Sequence, residues 1–353
     1  MSTTVELGLD TFGDMTVRED GTPESAAQVI RNLLDQGILA DQVGIDFIGV
    51  GEHHRPDFAV SAPDVVLAGI ATRTERIKLG SAVTVLSSDD PVRVFQRFAT
   101  VDALSNGRAE VILGRGSFTE SFPLFGFDLH DYEQLFEEKL DLFAHLLPEE
   151  PVTWQGQLRP ALANADIHPK TENGLTAWIA VGGSPQSVVR AAAYKLPLML
   201  AIIGGPAGRF KQFVDLYHRA LEQVREVETE AGHQRVGELP VGVHSPGHIA
   251  DTDEEAREQL FPHFKANRDR IGAERGWPPM QKGEFEREIT SGALYVGSPE
   301  TVARKIADTV RALDLARFDL KYSNGPMPHS QSMRAIELYG TKVIPMVRDL
   351  LAD

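Results

Sequence analysis

The chain has 353 residues, 42% of them apolar, with 35 Lys and Arg against 51 Asp and Glu for a net charge of −16. That make-up is an acidic globular protein large enough for a full core, and its charge, without any basic cluster, speaks against nucleic-acid and anionic-membrane partners. No Cys is present, which removes disulfides, thiolate nucleophiles and thiolate metal sites and makes a cytoplasmic address the default expectation.

The first residues, Met1 to Glu6, contain no basic segment followed by an apolar one, and the longest apolar stretch, 196–203, is interrupted by Pro197. A bilayer span needs about 20 apolar residues, so neither export nor membrane insertion is expected. Along the chain, short apolar runs at 5–9, 47–50, 77–85, 109–113, 177–181, 198–203, 240–243 and 318–322 read as strands. Between and after them, helical patterns cover 24–36, 65–74, 92–104, 132–146, 185–193, 210–230, 299–313 and 333–351. Eight βα units predict parallel strands and right-handed crossovers in a single (β/α)8 TIM barrel domain over 1–353 rather than an open doubly wound sheet. Insertions are expected after strand four, at 114–131 and 148–176, and before the last βα unit, at 262–294. Neither shows clean periodicity, and both are read as irregular lid segments. Gly182-Gly183-Ser184-Pro185 and Val296-Gly297-Ser298-Pro299 repeat a pattern of Gly, Ser N-cap and Pro at the first helical position.

Barrel chemistry sits just past the strand ends. After strand four comes Gly114-Arg115-Gly116-Ser117-Phe118, and after strand five Gly182-Gly183-Ser184-Pro185-Gln186-Ser187. Together they read as an anion site built from a helix N-terminus, two hydroxyls and a guanidinium fork, although Ser184 as a plain N-cap and Arg115 as a plain surface cation explain the pattern equally well. Ser323, Asn324 and Gly325 are a weaker phosphate candidate after the last strand. After strand two, Glu52-His53-His54 is the acid–base candidate, since an imidazole titrates near neutrality; metal ligation and structural hydrogen bonding are its alternatives. His244 and His248 are read as structural, because Pro246 and Gly247 break any helix that would bring them together. Phe12, Phe58, Phe118, Phe122, Phe125, Ile202 and Met327 lie near strand ends and would line the mouth with apolar surface. There is no G-x-G-x-x-G after a strand, Walker loop, G-x-S-x-G elbow or H-E-x-x-H.

Taken together, Gly51-Glu52-His53-His54, the stretch 77–86 followed by Asp90-Pro91-Val92-Arg93, then Leu104-Ser105-Asn106-Gly107-Arg108, Gly114-Arg115-Gly116 and Val296-Gly297-Ser298-Pro299-Glu300 resemble the bacterial luciferase-like, flavin-dependent monooxygenase family. The resemblance runs from Val5 to the last helix. It implies reduced FMN supplied by a separate flavin reductase, and dioxygen captured as a C4a-hydroperoxyflavin that passes one oxygen atom to a small organic substrate. By position it implies His53 and His54 as catalytic residues. It places Glu52, Ala82, Val83, Gly114, Arg115, Ser117, Gly183, Ser184 and Ser187 around the cofactor, with a cis bond at Ala82–Val83 and no metal. It further implies a homodimer through the helices around 65–74 and 92–104. Light-emitting members commonly carry an acidic residue where Gly183 stands, a Cys at Gly114 and a Trp at Ile202, so light emission is not expected. Three other readings stay open: a deazaflavin-dependent oxidoreductase of the same superfamily, a barrel hydrolase using Glu52 and Glu120, and a flavin-binding protein without turnover.

Overall fold

A computed structural model describes residues 5–230 and 237–352. Eight parallel strands close on themselves: β1 (Glu6–Thr11), β2 (Phe47–Val50), β3 (Lys78–Ser81), β4 (Ala109–Gly114), β5 (Thr176–Val181), β6 (Leu198–Ala201), β7 (Val241–Ile249) and β8 (Arg317–Lys321). Each pairs with its neighbours in chain order, and β8 returns to β1 in the register Gly8↔Asp319 and Asp10↔Lys321. The strands are almost wholly buried because the helices cover the outside and side chains fill the inside, which is why their sequences read as near-continuous apolar runs. This is the (β/α)8 barrel expected.

Local signals set the helix starts. Ser184 and Ser298 cap the Pro185–Ala193 and Pro299–Leu313 helices, each with Pro at the first turn, and Asp90 caps Pro91–Ser105 by accepting from the Val92 and Arg93 amides. The barrel's lower interior is closed by Phe47, Ile112, Trp178 and Met199. Among them lies a fully buried Arg317, stacked 4.4 Å from Phe47 and 4.6 Å from Trp178 and paired with Glu110 and Glu6. Burial works to raise the Glu110 carboxyl, but Arg317 and Lys78 outweigh it and hold it below the usual range.

Four segments differ from expectation. The stretch 77–85 is not one strand: β3 ends at Ser81, and Thr84–Val85 pairs separately with β4, with a cis peptide at Ala82–Val83 between them. The insertion at 262–294 is mostly helical, as Asp253–Arg275 and Lys282–Thr290. Pro262 inside the first of these, together with its high charge, hid the 3.6-residue period. The first insertion holds the short Ser121–Phe125 helix and a hairpin, Val152–Trp154 with Leu162–Ala165. β7 also runs six residues past its expected end at 243, carrying His244 to His248 on a strand. Among the described residues, no helix is long and apolar enough to cross a membrane.

Candidate active site

At the C-terminal mouth of the barrel, a cavity of about 500 Å³ is lined by residues from nearly every strand end, a size that suits a cofactor with a small substrate. His53, His54, Glu52, Ala82, Val83, Gly114, Arg115, Ser117 and Ser187 all line it, so the structure brings most of the expected site together. Gly183 and Ser184 are not among the lining residues; Ser184 turns its hydroxyl onto Gln186 and the Ser187 amide as an N-cap.

One edge of the cavity gathers positive charge. Arg115 reaches Glu133 and lies 5.7 Å from the Tyr132 ring, whose hydroxyl donates to the Gly116 carbonyl at 2.7 Å. Beside it is Arg190, 10% exposed, which donates to Ser187 Oγ at 3.3 Å and pairs with Glu137 and, at 3.8 Å, with Glu133. Sequence reasoning missed Arg190. The signal was its place three residues after Ser187 on one helix, which puts both side chains on the same face. Arg115, Ser187 and the N-terminus of the Pro185–Ala193 helix therefore meet at this edge, and Arg190, which is not itself among the lining residues, backs them through Ser187 and through the 62% exposed Glu133 that also pairs with Arg115. A Cβ at Gly182 would meet nothing within 4 Å, so the backbone there is open to a ligand. The weaker candidate does not form an anion site. Ser323 Oγ and the Gly325 amide donate to Asp14, and Asn324 donates to the Gly247 and Lys321 carbonyls.

His53 stands deeper. Its ring is boxed by Phe58 at 4.2 Å, Phe12 at 4.9 Å and Phe118 at 5.1 Å. Burial, and then the positive Lys321, push its pKa down to about 3, so at neutral pH it is an uncharged donor and acceptor rather than an imidazolium. His54 and Glu52 hold each other at 2.8 Å, while the second Glu52 oxygen accepts from the Val85 amide at 2.9 Å. Both oxygens of Glu52 are thus engaged within the protein, and its role is to fix His54 and the segment after the cis peptide. Arg55 is a latch: it pairs with Asp57, with Glu120 from the first insertion and with Glu274 at the end of the Asp253–Arg275 helix. Arg55 and Arg275 lie 4.6 and 5.5 Å from the Phe118 ring, which lines the cavity. With Glu52 and Glu120 so committed, a hydrolytic carboxylate pair finds no support. Among the described residues no His, Asp and Glu cluster could hold a metal.

Of the expected apolar mouth, Phe12 and Phe118 line the cavity, whereas Phe122, Ile202 and Met327 are packed in the core. His248 is structural as expected, buried and bonded to Gln259 Oε1 at 2.7 Å. His244 is not merely structural: it lines the cavity, with Nδ1 2.5 Å from Asp10 Oδ2.

The profile of the luciferase-like monooxygenases matches residues 11–315. A relative, the 4-hydroxyprotoasukamycin monooxygenase of Streptomyces nodosus subsp. asukaensis, is 29% identical over 285 residues, covering 77% of this chain and 74% of its own. The monooxygenase RslO1 of Streptomyces bottropensis superimposes with a TM-score of 0.79 at 23% identity, over 96% of this chain and 99% of that one. The oxygenating constituent of 3,6-diketocamphane monooxygenase from Pseudomonas putida, in complex with FMN, gives 0.74 at 18% identity, over 97% and 98%. At these identities the structural likenesses speak to fold alone, and F420-dependent oxidoreductases share that fold as well. The match over most of its length places this chain in the luciferase-like monooxygenase family.

Proposed function

We propose that the protein is an FMN-dependent monooxygenase that uses reduced FMN and dioxygen to oxygenate a small, partly apolar organic substrate. The observation that carries this is the joining, in one cavity, of Arg115 and Ser187, the latter held by Arg190 from just outside the lining, with the uncharged imidazole of His53. The residues fit the group. The phosphate end matches Arg115, Arg190, Ser187 and the helix N-terminus, and the ring system matches the apolar depth between Val83, Ile112 and Ala180. Reduced FMN bound there supplies the electrons and the site at which dioxygen is activated. The chain's own share is to bind, desolvate and hold protons. His53 Nδ1 and Nε2 offer one donor and one acceptor without a charge, and Phe118 with Arg55 and Arg275 covers the mouth against water.

The FMN complex of the diketocamphane enzyme supports the cofactor. A deazaflavin-dependent hydride transfer is the second reading, favoured by the F420 enzymes of the same fold. Anaerobic titration with reduced FMN, oxidised FMN and reduced deazaflavin separates them: tight reduced-FMN binding supports the first, preference for the deazaflavin the second, and binding of neither sinks both. Delivery of reduced FMN by a separate flavin reductase and a cytoplasmic address belong to the same proposal. So does a homodimer: Val65 is 67% exposed on the Pro63–Ala71 helix and Leu104 45% exposed on the Pro91–Ser105 helix, which pack together. Sedimentation of Val65→Lys as a monomer would support that pairing.

A further inference from the structure

On the side of the cavity away from the arginines, three polar side chains converge from three strands: Asp10 of β1, His244 of β7 and Asp319 of β8. His244 and Asp319 are register partners, and Asp10 pairs with Lys321 two residues on. Asp10 and Asp319 are each 1% exposed, and the Oδ1 atom of each is buried without a hydrogen-bond partner. Buried polar atoms are nearly always satisfied. Two orphaned carboxylate oxygens beside a cavity therefore require a ligand or a shared proton. Burial, and then the charges of Asp10 and Glu110 against that of Arg317, raise the Asp319 carboxyl well above its ordinary range.

A carboxylate can only accept, so Nδ1 of His244 carries the proton it shares with Asp10 Oδ2. Nε2 is then left as an acceptor, with no partner among the described residues. Phe12 stacks on the imidazole at 5.8 Å and 15°, fixing its plane. The charged and titratable groups around it are Asp10 from β1, Asp319 and Lys321 from β8, and His53 beyond the Phe12 ring; β6 presents Ala201.

We propose that the Asp10–His244 pair is a second acid–base element of this site, which binds the substrate through an ionisable hydroxyl of phenol or enol type and takes its proton. The O–H bond breaks and an N–H bond forms at Nε2. The resulting imidazolium is flanked by the Asp10 carboxylate, and the oxyanion left on the substrate keeps the electron pair of the broken bond. An oxyanion of this kind makes the ring or enol carbon electron-rich, which is the state that attacks an electrophilic oxygen. This step deepens the monooxygenase reading and rests on it for the oxygen transfer after ionisation, but the binding step can be read without turnover.

The probe is p-nitrophenol, titrated into the full chain with and without saturating FMN and read by phenolate absorbance one pH unit below the ligand's own pKa. There the free ligand is ionised about one part in ten, and binding at His244 should raise that ratio by about ten-fold or more. His244→Gln, shown folded by a cooperative thermal melt, should bind the phenol without ionising it, and Asp10→Asn should lose most of the ionisation. The proposal is overturned if the wild type binds only neutral phenol or none up to the ligand's solubility limit, or if folded His244→Gln retains the shift. FMN titration of the same preparations reads the cofactor separately, so failure of one proposal is distinguishable from failure of the other.

Discussion

The two-arginine edge makes a quantitative claim about which part of a flavin it holds. Arg115 and Arg190 converge on one place, where Glu133 now bridges them. Removing one charge-assisted contact to a phosphate costs about 1.5–3 kcal/mol, a loss in affinity of roughly ten- to 150-fold. Arg115→Ala is the cleaner perturbation, because Arg190 also pairs with Glu137 and covers the Phe136 ring at 5.5 Å. Glu133 competes with the ligand for both guanidinium groups. Being 62% exposed, it contributes only the 0.2–1 kcal/mol of a surface pair, so Glu133→Gln should tighten FMN binding by about 1.4- to five-fold. Fluorescence titration with FMN and with riboflavin, which shares the ring but has no phosphate, isolates the phosphate contribution. Arg115→Ala should weaken FMN and leave riboflavin unchanged. Equal losses for both ligands, or an FMN loss below about three-fold, would refute the phosphate assignment.

Three further outcomes are expected from the structure. Arg317→Ala leaves the buried Glu110 carboxylate without its main partner, and breaking a buried pair from one side costs about 3–5 kcal/mol; urea unfolding should show that drop, and a change under 1 kcal/mol would mean water reaches the lower barrel. Burial holds His248 down to about 4 against 6.5 unfolded, so the unfolded chain binds the extra proton. The stability that the neutral ring contributes is therefore complete above pH 6.5 and lost as pH falls toward 4, by about 1.4 kcal/mol per unit. His248→Gln should flatten this part of the acid limb in chemical denaturation, and an unaltered slope would contradict it. Gly114→Ala places a Cβ 2.5 Å from Val83 Cγ2, an overpacking of about 1–3 kcal/mol that pushes Val83 into the cavity; weaker FMN binding with the fold retained is expected, and unchanged binding would place the ring elsewhere.

The barrel was legible because parallel strands wrapped by helices are buried on both faces, so each of the eight announced itself as an apolar run, and β2 kept its expected bounds of 47 and 50. The anion edge was legible in half: Arg115 and Ser187 each follow glycines just past a strand end, in two separate segments, whereas Arg190 looks like any helical surface cation until the fold turns it inward. What stayed hidden was whatever broke a local rule. Pro246 and Gly247 read only as breakers of a helix, and the strand was expected to end at 243, yet both lie inside β7, where Pro246 pairs with Lys321. The stretch from 262 read as irregular, yet Pro262 lies inside a 23-residue helix. Glycine and proline report local preference, and here the barrel's closure and the packing of the insertion over its mouth decide instead.

Inside the barrel the polar residues fall into two layers, and the contrast between them separates structure from function better than residue type does. In the lower layer Arg317 donates to Glu110 and Glu6, and Trp178 donates to Glu110 at 3.0 Å. Every charge there has a partner, and the partners of Arg317 lie 207 and 311 residues away. Such a layer specifies how the strands register and leaves nothing over for a ligand. One step toward the mouth, Asp319 and Asp10 each keep a buried oxygen unbonded, although Asp10 grips His244 from 234 residues away. No packing need explains that choice, since an apolar pair would fill the same space at no desolvation cost. The unsatisfied layer opens onto the cavity and the satisfied one does not, so the incomplete bonding of Asp10 and Asp319 is the property that points to chemistry at this end of the barrel.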